Sequence, residues 1–260
     1  NNLLSNMTGI IEREIITSID QTLALLPFHH VLPLMVTLVV VYSGASIVFV
    51  PKIASHEILE ALGKNRVTIL VGVPRVYKLF YDGIKDQIQS KFITRKIYDM
   101  TSVIKSMKIR KTIFKKVHTK FGGHLKQMIS GGAKLDPEIG DFFERLGFYV
   151  TEGYGLTETS PILAVATIKE RKIGTVGKLL PKTEIKIVED ELLVKGPQVM
   201  LGYYKNLEKT REVLTEDGWF KTGDLAEMDS EGYLTIKGRK SSMIVLSNGK
   251  NIDPETIENK

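Results

Sequence analysis

From Gln21 to Pro51 the chain carries no Asp, Glu, Lys or Arg. Such a stretch has to be hidden in a bilayer or a core, because each Å² of apolar surface left in water forfeits roughly 25 cal/mol. Leu32–Val50 is long enough to cross a membrane. Three features oppose a span: Pro33 and Gly44 interrupt it, Val39–Val41 and Ile47–Val50 are β-formers, and Tyr42-Ser43-Gly44-Ala45-Ser46 reads as a loop. The pattern predicts a buried helix followed by a fully buried strand. No basic segment precedes the apolar run and the first residue is not Met, so a signal peptide is not expected. Both ends read as cut from a longer chain.

The remaining texture is that of an α/β protein. Val67–Val73 is a continuous apolar run closed by Pro74, which suits a buried parallel strand. Ser55 and Gly63 bracket a short helix with Ile58, Leu59 and Leu62 on one face. Asp136 is a good N-cap, Pro137 suits the first helical position and Gly147 can end the helix. Ile139, Phe142, Phe143 and Leu146 between them repeat at helical spacing. Beyond Pro161 the alternation is that of antiparallel strands, with turns at Glu189-Asp190-Glu191 and Asp229-Ser230-Glu231-Gly232. The expected fold class is α/β, with layered mixed or parallel sheets and flanking helices, followed by a small antiparallel β-barrel-like subdomain. The boundaries expected are 1–165 for the α/β part, 166–238 for the β subdomain and 239–260 for a hinge and the start of a further domain.

Hydrophobic residues make up 43% and charged residues 25%, which excludes disorder over most of the length. The absence of cysteine excludes disulfides and thiolate metal sites and fits a cytoplasmic location. Five histidines without an HExxH pattern argue against zinc. Lys85–Lys120 holds eleven Lys and Arg against Asp86 and Asp99, a local excess of +9 in a chain of net charge +6. A solvated helical surface is the plain reading. The sharper one is a surface that meets the headgroups of an anionic membrane, as a peripheral contact, or a phosphate-bearing substrate. Nucleic acid ranks lower, because no groove-reading motif accompanies the charge.

Three glycine-bearing segments carry the chemistry. Ser130-Gly131-Gly132-Ala133 follows an apolar Met128-Ile129 and would let backbone approach a flat ligand. Glu152-Gly153-Tyr154-Gly155-Leu156-Thr157-Glu158-Thr159-Ser160-Pro161 could stack a base on Tyr154, bond a phosphate through Thr157 and hold Mg²⁺ on Glu158. Gly218-Trp219-Phe220-Lys221-Thr222-Gly223-Asp224 reads as a tight glycine turn whose acid can accept both hydroxyls of a ribose. A structural turn explains each of these singly.

Taken together with Gly232-Tyr233-Leu234 and Gly238-Arg239-Lys240, these motifs resemble the adenylate-forming superfamily, which contains acyl-CoA synthetases, nonribosomal peptide synthetase adenylation domains and beetle luciferase. Val73-Pro74-Arg75-Val76-Tyr77, the basic segment and Phe121-Gly122-Gly123-His124-Leu125 resemble the long-chain fatty-acid–CoA ligases. The resemblance implies an acetyl-CoA synthetase-like fold, incomplete at both ends. It implies activation of a fatty acid by ATP to an acyl-AMP, followed by transfer to CoA. Gly131, Gly132 and Ala133 would line the adenine with Tyr154. Thr157 would meet the α-phosphate, Glu158 would ligate Mg²⁺, Asp224 would bind the ribose, and Arg239 ribose or phosphate. His29 and His30 would lie near the carboxylate site, where a core histidine pair is an equal reading. Ser241 occupies the usual hinge position, although relatives often carry Asp or Lys there, and Gly249 would neighbour the pantetheine arm. The phosphate loop and the second domain's lysine are expected outside Asn1–Lys260, so this piece alone is expected to be inactive. Aryl-CoA ligases and amino-acid adenylation domains stay open as alternatives, as does a non-enzymatic module that binds membrane or nucleic acid through the basic segment.

Overall fold

The computed structural model describes residues 1–50, 54–242, 244–245 and 251–252. The chain opens with α1 (Asn2–Glu12), β1 (Gln21–Ala24), α2 (Val31–Tyr42), β2 (Ser46–Phe49), α3 (Ser55–Lys64) and β3 (Ile69–Gly72). Four helices follow, α4 (Pro74–Gln89), α5 (Phe92–Met100), α6 (Met107–Ile113) and α7 (Lys115–Lys120), before β4 (Gln127–Ser130), α8 (Pro137–Arg145) and β5 (Tyr149–Gly155). Then come β6 (Ile162–Val165), β7 (Lys178–Leu179), β8 (Glu184–Val188), β9 (Glu191–Lys195), α9 (Leu207–Val213), β10 (Phe220–Met228) and β11 (Leu234–Arg239). A short pair, Ile244–Val245 with Asn251–Ile252, ends the described chain.

Among the described residues the first sheet has seven strands in the order β2-β1-β3-β4-β5-β6-β7. Pairing is parallel from β2 through β5 and antiparallel for β6 and β7. The second sheet is the antiparallel row β11-β10-β9-β8. Successive side chains on the central strands go to opposite faces, as a pleated strand requires. Leu70 and Met128 join one core with Ile58, Leu62, Tyr77, Phe142 and Phe143, beneath α3, α4 and α8. Ile69 and Val71 join another with Ile10, Met35, Val39 and Val40, beneath α1 and α2. This two-sided burial is why Ile69–Gly72 reads as an unbroken apolar run. Tyr77 is fully buried, and its hydroxyl lies 2.9 Å from the Leu70 carbonyl and 2.7 Å from that of Ile129, so α4 is fastened to the sheet between β3 and β4.

Several expectations hold in detail. The Asp136 carboxylate accepts the Glu138 N–H at 2.8 Å, Pro137 opens α8, and Gly147 takes φ +93° just after it. Ile139, Phe142, Phe143 and Leu146 are all buried. The β8–β9 hairpin turns at Glu189 and Asp190, both with positive φ. Three expectations change. The Val39–Val41 run lies inside α2, because burial against the sheet outweighs the modest cost of valine in a helix. The strand after it is β2 at the sheet's edge, with Ser46 and Phe49 exposed, and is not fully buried. Gly218–Asp224 is not a tight turn throughout: from Phe220 it is strand β10, whose register breaks between Lys221 and Leu225.

Candidate functional site

That break in β10 sets up the site. Gly223, at φ +72°, takes a conformation costly for any residue with a Cβ, and the strand bulges there. The Thr222 hydroxyl donates to the Leu192 carbonyl at 2.8 Å and accepts the Asp224 N–H at 3.1 Å, which fixes the bulge. Asp224 is left 3% exposed, with its carboxylate turned toward the other sheet. The Tyr154 hydroxyl, from the end of β5, donates to one carboxylate oxygen. Arg239 Nε, from the end of β11, sits 2.8 Å from the other. Burial pushes the Asp224 carboxyl above the ordinary aspartate range, while Tyr154 and Arg239 pull it back. Tyr154 is pushed well above the usual phenol by burial and by the adjacent Asp224 charge.

A cleft of about 200 Å³ lies over this cluster, with Gly132 and Ala133 from the end of β4 on one side and Tyr154, Asp224 and Arg239 on the other. It adjoins a larger cavity of about 670 Å³, and Gly132, Tyr154, Gly155 and Arg239 line both. The larger cavity is mostly apolar, bounded by Ile10, Met35, Val36, Val39 and Ile129, with Gly131, Thr157, Glu158 and His30 at its polar side. Thr157 and Glu158 form a single 3₁₀ turn after β5, held by the Thr159 hydroxyl, which accepts the Leu156 N–H at 3.0 Å. Glu158 accepts the Tyr203 hydroxyl at 2.9 Å, and its carbonyl accepts the Met200 N–H at 2.8 Å.

Gly131, Gly132, Ala133, Tyr154, Thr157, Glu158, Asp224 and Arg239 are thus brought together around two adjoining cavities. The histidine pair is split. His30 stands at the N-terminal boundary of α2 and lines the larger cavity, whereas His29, its ring 4.2 Å from that of His30, lines neither. Ser241 lies in an exposed 3₁₀ turn, and Gly249 falls outside the described residues. The sequence assigns no role to two residues near the site, although Glu152 opens the Glu152–Pro161 loop. Tyr203 reaches Glu158 across 45 positions of chain. Glu152 lines the smaller cleft, where burial pushes its carboxyl up to about 7 against the pull of the Leu135 and Gly174 N–H groups. Among the described residues no group of three or more His, Asp or Glu is arranged to hold a metal ion.

The model of the AMP-binding enzyme family matches residues 1–204. The chain belongs to that family. It is similar to a long-chain-fatty-acid–CoA ligase, FadD15, of Mycobacterium bovis, at 34% identity over 93% of this chain and 43% of the relative. It is also similar to long chain acyl-CoA synthetase 7, peroxisomal, of Arabidopsis thaliana, at 32% identity over 99% of this chain and 41% of that protein. The chain therefore spans less than half the length of these curated relatives. Among solved structures, ATP-bound MatB from Rhodopseudomonas palustris superposes with a TM-score of 0.76 at 27% identity, over 99% of this chain and 47% of that one. O-succinylbenzoate coenzyme A synthetase (MenE) from Bacillus subtilis, in complex with ATP and magnesium ion, shares the fold at a TM-score of 0.74 and 23% identity. The mixed sheet followed by an antiparallel one is the acetyl-CoA synthetase-like arrangement expected. Among the described residues no helix is long and apolar enough to cross a membrane.

Proposed function

We propose that the polypeptide bearing this chain is an AMP-forming long-chain fatty-acid–CoA ligase, and that this chain supplies its nucleotide and acyl sites. The observation that carries the reading is the continuity of the two cavities. The smaller cleft, which ends on the buried Asp224 carboxylate, opens past Tyr154 and Arg239 into a large apolar cavity whose wall includes Thr157 and Glu158. A nucleotide in the first and an acyl chain in the second would meet there. The relatives named as long-chain ligases support the acyl class.

In this reading Asp224 accepts the ribose hydroxyls, exchanging its bond from Tyr154 for bonds from ligand, and Gly131, Gly132, Ala133 and Tyr154 flank the adenine. Adenylation gathers negative charge on the α-phosphate, and the Thr157 hydroxyl and the Arg239 guanidinium are the fixed donors this chain offers it. His30 borders the acyl carboxylate. Glu158 suits Mg²⁺, which binds through one or two carboxylates plus substrate phosphates and does not need an all-protein cage. Bound there, the ion would neutralise phosphate charge. Transfer to CoA falls to the whole polypeptide, with Gly249 the contact proposed in this chain. The domain boundaries at 165 and 238 and the hinge at Ser241 belong to the same proposal.

The test is ATP–pyrophosphate exchange on the intact polypeptide with palmitate, benzoate and an amino-acid mixture in parallel. Exchange with palmitate alone is expected, and exchange driven by benzoate or amino acids would move the protein to another class. Asp224→Ala should raise the KM for ATP at least about tenfold, as a ribose left without its acceptor costs about 1–3 kcal/mol. Glu158→Gln should slow exchange and raise the Mg²⁺ requirement. Unaltered Mg²⁺ dependence would remove Glu158 from the metal site.

A further inference from the structure

Helices in a globular protein turn their apolar stripe inward. Helix α5 does the reverse. Its inward face is Thr94 and Tyr98: the Thr94 hydroxyl donates to the Ile88 carbonyl at 2.7 Å, and the Tyr98 ring packs 5.4 Å from Phe142 and 6.5 Å from Phe114. The outward face is Ile93, Ile97 and Met100, at i, i+4 and i+7, and no residue of α5 is buried. Ile93 is 71% exposed and Met100 66%, with Val103 just beyond at 80%, and Phe92 lies open beside them. Helix α6 repeats the arrangement with Ile109 and Ile113 exposed, and it too buries no residue. The Arg110 guanidinium ties the two helices together by donating to the Ile104 carbonyl at 2.6 Å and the Thr101 carbonyl at 3.2 Å.

The same helices and their flanks carry Lys91, Arg95, Lys96, Lys105, Lys108 and Lys116, all exposed, with Asp99 the one acid between Lys91 and Lys120. None of these six cations enters an ion pair among the described residues. Lys96 and Arg95 lie over the exposed Phe92 ring, 4.7 and 5.7 Å from its centroid, so charge and apolar surface are interleaved side chain by side chain.

We propose that the α5–α6 face binds an anionic phospholipid surface and inserts Phe92, Ile93, Ile97 and Met100 into it. Cations alone would suit any polyanion. A nucleic-acid backbone, however, would engage the lysines and leave the isoleucines in water. A bilayer interface takes both groups at once, with phosphates at headgroup depth and acyl chains just below. The proposal is independent of the ligase reading, because vesicle binding is measured without nucleotide.

The experiment is sedimentation of the Asn1–Lys260 chain with phosphatidylcholine vesicles containing or lacking phosphatidylglycerol, over a range of salt. Binding should need phosphatidylglycerol and weaken steeply with salt. Ile93→Ser, Ile97→Ser and Met100→Ser combined should lower the affinity by about tenfold or more, as should Lys91→Gln, Arg95→Gln and Lys96→Gln combined. Both sets change exposed residues, and circular dichroism should show the fold kept. In Phe92→Trp the new indole should be quenched by brominated acyl chains, over the background of Trp219. Equal binding to both vesicle types, wild-type affinity in either folded variant, or binding without acyl-chain quenching would overturn the proposal. So would an oligonucleotide that binds more tightly than the vesicles and whose affinity is unchanged in the apolar variant.

Discussion

Glu152 and Asp224 face the same small cleft, and burial pushes both carboxyls upward. A carboxyl whose pKa is raised by folding binds more protons folded than unfolded, so its contribution to stability falls as pH rises from the ordinary glutamate range to the folded value. For Glu152 that window runs from the ordinary 4.5 of a glutamate to about 7. The cleft is open to water, and with that screening we expect about 1–2 kcal/mol lost across the window. Urea titrations at several pH values should show the loss in wild type and its absence in Glu152→Gln, and parallel profiles would refute it. His118 acts in the opposite sense: desolvation against Phe148 lowers its pKa to about 4, so stability is lost as pH falls toward that value. The difference between wild type and variant isolates Glu152 from it. Asp224 was legible as a chemical residue because its neighbours in sequence form a motif. Glu152 was legible only as the first residue of the Glu152–Pro161 loop and Tyr203 not at all, because what gives them their place is a wall and a partner contributed by distant segments.

Strand β5 and its return β6 nearly touch at Gly155, where an added Cβ would lie 1.8 Å from the Pro161 carbonyl oxygen. Only a residue with no side chain lets the Thr157–Glu158 turn close. Gly155→Ala should therefore cost about 1–3 kcal/mol in denaturant unfolding, as overpacking generally does, and should weaken ATP binding by moving the turn. An unchanged unfolding midpoint would mean that the turn yields freely. Helix α8 was readable to the residue, since its cap, its proline and its closing glycine are local signals. Helix α2 and strand β10 were not. In α2 a valine run suited to strands is held helical by packing on the sheet, and in β10 two glycines that look like a turn flank or interrupt a strand.

The proposed nucleotide site draws Tyr154 from one sheet and Asp224 and Arg239 from the other. The sheets also exchange backbone bonds, between Val176 N–H and the Leu234 carbonyl and between Leu234 N–H and the Gly177 carbonyl, each 2.9 Å. A ligand seated across this seam stabilises both halves at once. Adenosine at about 100 times its Kd should add about 2.7 kcal/mol, roughly 5–10 °C in Tm for a chain of this size. The shift should appear as one transition moving as a whole, and Asp224→Ala should abolish it. A shift retained in that variant would place adenosine elsewhere. The switch to antiparallel pairing was legible from the change in hydrophobic period after Pro161, whereas the boundary between the sheets, which falls after β7, and their joint use of Tyr154 and Asp224 required the folded chain.

Helix α1 is fastened by its asparagines to segments far along the chain. The Asn2 side chain donates to the Pro197 and Val199 carbonyls, and Asn6 donates to that of Ile162. A ribosome adding about 5–20 residues per second needs roughly 10–40 s to deliver the partners of Asn2 after Asn2 itself. Through that interval Ile10 and the charge-free stretch behind it have left the exit tunnel without the late segments that help enclose them. The nascent chain is then a natural client for a chaperone that holds apolar helices, and its yield should depend on translation speed across the roughly two hundred codons from Asn2 to Val199 more than on the stability of the finished fold.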